Sequence, residues 1–121
     1  MNVQMKSLVG YIVFLILTSM TPAHAQSPCE NTLCVVQYNA SWNSAKSVVW
    51  INELTDCEIK EIDIASNTTA AGEYKIVVVP TIVIYNAGEE VKRFQANIMM
   101  TMEATKKEIQ EAIDEILMED F

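Results

Sequence analysis

The segment IVVVPTIVIYNAGEEVKRF, residues 76–94, predicts the β-structure at the centre of the fold. An apolar run ends at Pro80, and residues 81–85 (TIVIY) are rich in the β-branched residues that favour strands. A turn follows, in which Gly88 is free to adopt a positive φ. Residues 90–94 then begin another strand, so the segment predicts a β-hairpin placed directly after a proline.

Before this segment, the pattern predicts a strand, a helix and a second strand. Residues 33–38 (LCVVQY) are apolar and indicate a buried strand. A helix is predicted over residues 45–54, with Asn43 or Ser44 as its N-cap. Residues 58–64 (EIKEIDI) are the next strand. A strand–helix–strand unit of this length requires a right-handed crossover, so these two strands should be parallel.

The chain is predicted to end in an amphipathic helix. Residues 105–108 (TKKE) form a capping box. Five apolar residues then recur at helical spacing: Ile109, Ala112, Ile113, Ile116 and Leu117. All the elements together predict an α/β domain with a mixed four-stranded sheet flanked by helices.

Four features in a fixed order resemble the thioredoxin family. They are a strand leading to residues 40–42 (ASW), the segment 74–81 (YKIVVVPT), the hairpin after it, and the amphipathic final helix. The resemblance extends over about residues 33–118 and implies a thioredoxin-like fold with a cis bond before Pro80. The family's first strand and helix have no counterpart, because only residues 26–32 precede the first strand once a signal peptide is removed.

The family's dithiol motif is replaced in this sequence. A Cys-x-x-Cys directly follows the tryptophan in the family, and here Asn43 and Lys46 stand at the two sulfur positions. Gln37 occupies the position of the family's buried acid, and Glu61 that of its lysine partner, so the two side chains could form a hydrogen-bonded pair, or Glu61 could simply be exposed. Because exchange requires a thiolate, these replacements predict a redox-inactive domain with no catalytic residue at this position.

The resemblance therefore predicts a non-catalytic module that binds an extended peptide or a protein partner. The predicted binding residues are Trp42, Asn43, Val79, Pro80 and Thr81. A cis-proline leaves the backbone groups of the preceding residue facing outward, where a peptide can add like a strand. A tryptophan beside it would offer a flat apolar contact. No cofactor is predicted.

Three cysteines allow an alternative function. Cys29 and Cys34 could form a displaced redox pair or a structural staple, and Cys34 could instead pair with Cys57 across two adjacent parallel strands. An odd count leaves one thiol free or intermolecular. The alternative is a thiol–disulfide oxidoreductase in cell redox homeostasis that uses Cys29 and Cys34, or Cys57.

The N-terminal residues have the three-part pattern of a secretory signal. Lys6 precedes the apolar run 8–17 (LVGYIVFLIL), and the small residues Ala23 and Ala25 predict cleavage after Ala25. The predicted organisation is a signal peptide at 1–25, an N-terminal extension at 26–32 and a thioredoxin-like domain at 33–121. The mature protein is expected to be periplasmic or extracellular, without a stable membrane span.

Composition excludes several classes of function. Lys plus Arg total 8 against 16 for Asp plus Glu, and a net charge of −8 gives no electrostatic footprint for nucleic acid. The only histidine, His24, lies in the predicted signal peptide, so histidine-based catalysis and metal ligation are excluded. Met99, Met100 and Met102 could line a peptide site or bind Cu(I), but gap-filling is the favoured interpretation, and no metal site is predicted.

Overall fold

A computed structural model describes residues 27–29 and 32–119 of the 121-residue chain. The predicted signal peptide, residues 1–25, lies outside the described residues. The four strands are β1 Leu33–Asn39, β2 Glu58–Asp63, β3 Thr81–Asn86 and β4 Glu89–Gln95. The helical elements are two 3₁₀ helices, Ser41–Lys46 and Val49–Glu53, and two α-helices, Ala70–Glu73 and Lys106–Glu119.

The sheet has the predicted mixed topology. Its strand order is β2-β1-β3-β4, with β1 parallel to β2 and the other two pairs antiparallel. Within the described residues, no strand precedes Leu33. The predicted α/β fold with a four-stranded sheet flanked by helices is therefore confirmed.

The hairpin between β3 and β4 closes through a two-residue turn. Asn86 pairs with Glu89, and the residues between them, Ala87 and Gly88, have φ values of 53° and 85°. Two positive φ angles in succession match the twist of the flanking strands. The positive φ predicted for Gly88 is confirmed, whereas Ala87 adopts one despite its Cβ.

The helix predicted over residues 45–54 is wrong. Two 3₁₀ helices replace it, and Ser47 between them has an extended ψ of 142°. The N–H of Val48 donates 2.7 Å to the side-chain Oε1 of Gln37 on β1, so this N–H does not take part in the hydrogen bonds of a continuous helix. The predicted capping by Asn43 or Ser44 is also wrong, because the first 3₁₀ helix begins after Ala40 without a side-chain cap.

The two faces of the sheet bury separate clusters, because successive side chains of a strand point to opposite faces. On one face, Val35 and Ile84 pack with Ile51 and with Ile109 and Ile113 of the C-terminal helix. That helix begins as predicted, with the N–H of Glu108 donating 3.2 Å to Thr105 Oγ1. The other face buries a cluster that contains the two disulfide cysteines: Cys29, Cys34, Val36, Tyr38, Ile76, Val79, Val83 and Tyr85.

Candidate functional site

A disulfide joins Cys29 to Cys34, with 6.1 Å between their Cα atoms. Cys34 is the second residue of β1 and is 0% exposed, whereas Cys29 lies in the segment before the strand and is 8% exposed. Cys34 therefore has a fixed position in the sheet, and the disulfide holds Cys29 against the beginning of β1. Of the pairings that the sequence left open, the structure selects this one.

The disulfide lies at the beginning of β1. Cys34 pairs in register with Glu58, the first residue of β2, and with Tyr85 near the end of β3. Asn39, at the other end of β1, is five residues further on, which corresponds to roughly 16 Å along a strand. The cysteines are thus at the sheet edge opposite to the one where the resemblance places a dithiol.

A lysine and a glutamate of β2 flank the disulfide. Glu58 and Lys60 pair in register with Cys34 and Val36, so their side chains share a face with the Cys34 sulfur. Lys60 Nζ donates to the backbone carbonyl of Pro28 at 2.6 Å and lies 3.9 Å from Glu58 Oε1. We call Cys29, Cys34, Glu58 and Lys60 the disulfide end of the sheet.

The third cysteine is a free thiol outside this centre. Cys57 is partly buried. Burial, together with the negative charge of Asp56, raises the pKa of Cys57 to about 11. At neutral pH only about one Cys57 in ten thousand would then be a thiolate, the reactive form. The alternative Cys34–Cys57 pairing is not formed, because Cys34 is bonded to Cys29, and the raised pKa disfavours a catalytic Cys57.

The residues predicted to bind a peptide lie at the opposite end of the sheet. The bond between Val79 and Pro80 is cis, as expected from the resemblance. Trp42 is 67% exposed, whereas Val79 and Thr81 are buried. Thr81 Oγ1 donates 2.6 Å to the carbonyl of Val78. Of the predicted binding residues, Trp42 presents most of its side chain to solvent, and Thr81 is engaged inside the fold.

Asn43 and Lys46, at the family's sulfur positions, both make structural contacts. Asn43 is buried, and its Nδ2 donates 3.0 Å to Asn39 Oδ1, while Asn39 Nδ2 donates 3.2 Å to the Asn43 carbonyl. Lys46 Nζ donates 2.7 Å to the carbonyl of Met99 and 3.2 Å to Thr101 Oγ1. These two side chains therefore fix the first 3₁₀ helix to β1 and to the loop after β4.

The amide of Gln37 makes three hydrogen bonds at this end. It accepts from the N–H of Val48 at 2.7 Å and donates to the carbonyl of the same residue at 3.3 Å. It also donates 3.0 Å to Glu61 Oε1, so the predicted Gln37–Glu61 hydrogen bond is confirmed. Gln37 is 1% exposed, and these three bonds satisfy its buried amide.

A polar cleft of about 230 Å³ opens beside these groups. The carboxylate of Asp63, at the end of β2, accepts from the N–H groups of Ala65 and Ser41 at 2.9 and 3.0 Å. The N–H of Ala65, with a smaller contribution from Ser41, lowers the pKa of Asp63. We call Gln37, Asn39, Asn43 and Asp63 the polar end of the sheet.

A pair of tyrosines spans the space between the two ends. The hydroxyl groups of Tyr38 and Tyr85 share a hydrogen bond of 2.6 Å, and the ring of Tyr74 lies 5.4 Å from that of Tyr38. Burial, followed by the bond to Tyr85, strongly raises the pKa of Tyr38, and burial also raises that of Tyr85. This pair was not predicted from the sequence. The register of β1 and β3 would have indicated this tyrosine pair, because Tyr38 and Tyr85 lie on the same sheet face as Cys34.

Comparison with known proteins supports the fold. No protein-family model and no curated protein matches the sequence. Solved structures do match. A mutant thioredoxin from Halobacterium salinarum NRC-1 is 23% identical with a TM-score of 0.55, covering 71% of this chain and 75% of its own. Fasciola hepatica thioredoxin is 28% identical with a TM-score of 0.51, covering 69% and 80%. Thioredoxin-2, described as a component of malaria parasite protein secretion machinery, is 16% identical with a TM-score of 0.58, covering 72% and 85%.

This chain has a thioredoxin-like fold.

The prediction of a non-catalytic binding module without redox chemistry is therefore wrong. It rested on Asn43 and Lys46 at the family's sulfur positions. The chain instead carries a disulfide between Cys29 and Cys34, with four residues between the cysteines, in a fold that it shares with thioredoxins. That combination favours a redox role. In the described part of the chain, no helix is long and apolar enough to cross a bilayer.

Proposed function

We propose that this protein is a thioredoxin-fold thiol–disulfide exchange protein whose reactive centre is the Cys29–Cys34 pair. The observation that carries the proposal is the disulfide itself, which joins a fully buried strand cysteine to a cysteine in the segment preceding that strand. A redox centre of this kind would have moved to the other edge of the sheet from the position that the resemblance implies.

The exchange would begin at Cys29. Cys29 is the more exposed of the two residues, so its sulfur is the better target for an incoming thiolate. Attack on Cys29 Sγ forms a mixed disulfide, breaks the Cys29–Cys34 bond and releases Cys34 as a thiolate, which takes up a proton. A second substrate thiolate then attacks the substrate sulfur of the mixed disulfide and releases Cys29. Two substrate thiols become one disulfide, and the protein gains two electrons and two protons.

Cys34 would act as the resolving residue. It has this role when the reduced protein acts on a substrate disulfide: the Cys29 thiolate attacks one substrate sulfur and releases the other as a thiolate. Cys34, which β1 fixes beside Cys29, then attacks Cys29 Sγ of the mixed disulfide, restores the Cys29–Cys34 bond and releases the remaining substrate thiolate. Cys57 takes no part in this scheme, because its raised pKa leaves it protonated at neutral pH. Access to Cys29 would limit the rate, since only 8% of that residue is exposed.

Glutathione titration of the full chain tests the proposal. The protein is equilibrated in glutathione buffers of graded potential, alkylated and analysed by mass spectrometry. We expect Cys29 and Cys34 to gain the label together, as one two-electron couple within the glutathione range. We also expect the reduced protein to reduce insulin disulfides, an activity that Cys29→Ser and Cys34→Ser abolish. Cys57→Ser is the matched control and should retain it.

Two results would contradict the proposal. A disulfide that glutathione never opens would identify Cys29–Cys34 as a structural staple. Insulin reduction that survives Cys29→Ser would place the chemistry elsewhere.

Export is part of the same proposal. The sequence pattern supports a signal peptide at 1–25, an extension at 26–32 and a thioredoxin-like domain at 33–121. A periplasmic or extracellular location would supply the oxidising conditions under which such a disulfide persists. The proposed partner is a peptide or protein that presents a thiol or disulfide on an accessible segment. The intact mass of the protein isolated from its native compartment would test cleavage after Ala25.

A further inference from the structure

A lysine of β2 contacts the segment that carries Cys29, residues 27–29 of the described structure. Lys60 Nζ donates 2.6 Å to the carbonyl of Pro28, the residue directly before Cys29. The other hydrogen bond of residues 27–29 in the described structure, from the Cys29 N–H to Ser27 Oγ, is internal to the segment. Lys60 therefore bonds to residues 27–29 from β2, whereas nearer to β1 the carbonyl of Thr32 accepts from the N–H of Ala87 at 2.6 Å.

The surroundings of Lys60 favour a mechanical role over an electrostatic one. Glu58 Oε1 lies 3.9 Å from the ammonium group, and its negative charge offsets much of the field that Lys60 would exert on a nearby thiolate. Glu58 also pairs in register with Cys34, so it approaches the pair from the same face. The hydrogen bond to Pro28 is what distinguishes Lys60 from an ordinary surface lysine.

We propose that Lys60 is a positioning residue for the disulfide: by holding the Pro28 carbonyl, it keeps Cys29 closed over Cys34 and controls how readily the pair opens. This inference rests on the proposed function. In the oxidised protein, the short segment before β1 and the Lys60 contact confine Cys29 together. Without the Lys60 contact, residues 27–29 are freer to move and Cys29 becomes more accessible. In the dithiol, the two sulfurs then have a lower effective concentration toward each other.

Two consequences follow for a Lys60→Met variant. Its disulfide should be reduced faster by dithiothreitol, because the sulfur of Cys29 is less covered. Its equilibrium with glutathione should shift toward the dithiol by about fivefold, which corresponds to about 20 mV for a two-electron couple. The Lys60 side chain is 37% exposed, so its charged hydrogen bond competes with water and a larger shift is not expected.

Two further variants make this test specific. Lys60→Arg retains a cationic donor and should restore at least half of the shift. Lys106→Met removes the ammonium of a surface pair, 3.4 Å from Glu53, on a helix that packs on the sheet face opposite to the Cys29–Cys34 pair, and should leave both the rate and the equilibrium unchanged. Alkylation of Cys57, measured in the same samples, should stay the same in every variant, since a general loosening of the fold would expose that thiol as well.

The outcomes separate the two proposals. If the wild-type disulfide does not open in glutathione, the proposed function fails. If it opens but Lys60→Met matches Lys106→Met in rate and equilibrium, the function stands and the role of Lys60 is refuted. A shift that Lys60→Arg does not restore, or that comes with faster Cys57 alkylation, would also refute it.

Discussion

The two ends of β1 hold the chain together by different means. At the polar end, Asn39 and Asn43 hydrogen-bond to each other, and the amide of Gln37 bonds to the backbone of Val48 and to Glu61. At the disulfide end, a covalent bond and a contact from Lys60 attach residues 27–29 to the sheet. A loop this short contributes only about 2 kcal/mol when a disulfide closes it. The network is therefore the stronger candidate for stability, and the disulfide for chemistry.

The proposed redox centre and the hydrogen-bond network thus lie at separate ends of one small domain. At the helix start where the resemblance implies a dithiol, Asn43 and Lys46 both make hydrogen bonds to other parts of the fold. The cysteines lie at the opposite edge of the sheet, where opening their bond need not disturb the polar end. Substitutions at the polar end and between the two ends would test that separation.

The largest effect is expected from Gln37→Leu. The substitution leaves the buried N–H of Val48 without its acceptor and should lower the free energy of unfolding by about 2–3 kcal/mol. Urea denaturation measures that loss. Because the disulfide lies at the other end of β1, the glutathione equilibrium of Cys29–Cys34 should stay within about twofold of the wild type.

Gln110 offers a matched control for this prediction. Its amide likewise bonds to both backbone groups of one residue, accepting from the N–H of Thr55 at 2.9 Å and donating to its carbonyl at 3.1 Å, but these contacts are exposed to solvent. Water can replace them, so Gln110→Leu should cost less than about 1 kcal/mol. Equal losses in the two variants would mean that the buried network has no special role.

Local sequence patterns predicted most of the strands and helices, but not the side-chain contacts that join one element to another. The strands, the turn at Gly88 and the final helix depend on residues close in sequence, and the Gln37–Glu61 bond followed from their aligned positions on neighbouring strands. The helix at 45–54 failed because a side chain eleven residues away takes the N–H of Val48. No local pattern contains that information.

The site was harder to predict than the fold for a related reason. The resemblance implied that a dithiol site would lie at Asn43 and Lys46. The cysteine pair instead lies at the opposite edge of the sheet. Spacing alone allowed Cys34 to pair with Cys29 or with Cys57. The choice depends on where the segment before β1 lies in three dimensions, and a contact such as that of Lys60 with Pro28 becomes visible only there.

A smaller effect is expected from the tyrosine pair that links the two ends. Tyr38→Phe removes one partner of the 2.6 Å hydrogen bond and leaves the buried hydroxyl of Tyr85 unpaired, at a cost of about 1 kcal/mol. Replacing both residues with phenylalanine leaves no unpaired hydroxyl, so the double variant should cost less than the sum of the single ones. Urea denaturation of all four proteins gives the coupling energy. Strict additivity would contradict a shared bond.

The smallest effect is a change in pH dependence caused by Asp63. The N–H groups of Ala65 and Ser41 favour the ionised carboxylate, so the pKa of Asp63 in the folded protein lies below its ordinary value of 3.8. The stability that this carboxylate contributes is present above that ordinary value and is lost as the pH falls through the lowered pKa of the folded state. In Asp63→Asn, Oδ1 still accepts both bonds but does not titrate. Its stability should therefore fall less steeply than that of the wild type when urea midpoints are followed from about pH 5 to about pH 2.

Asp114→Asn controls for the loss of one negative charge at the surface. If both variants follow the wild-type curve, the contacts of Asp63 make no difference to acid stability, and the polar end depends on the uncharged network of Gln37, Asn39 and Asn43 alone.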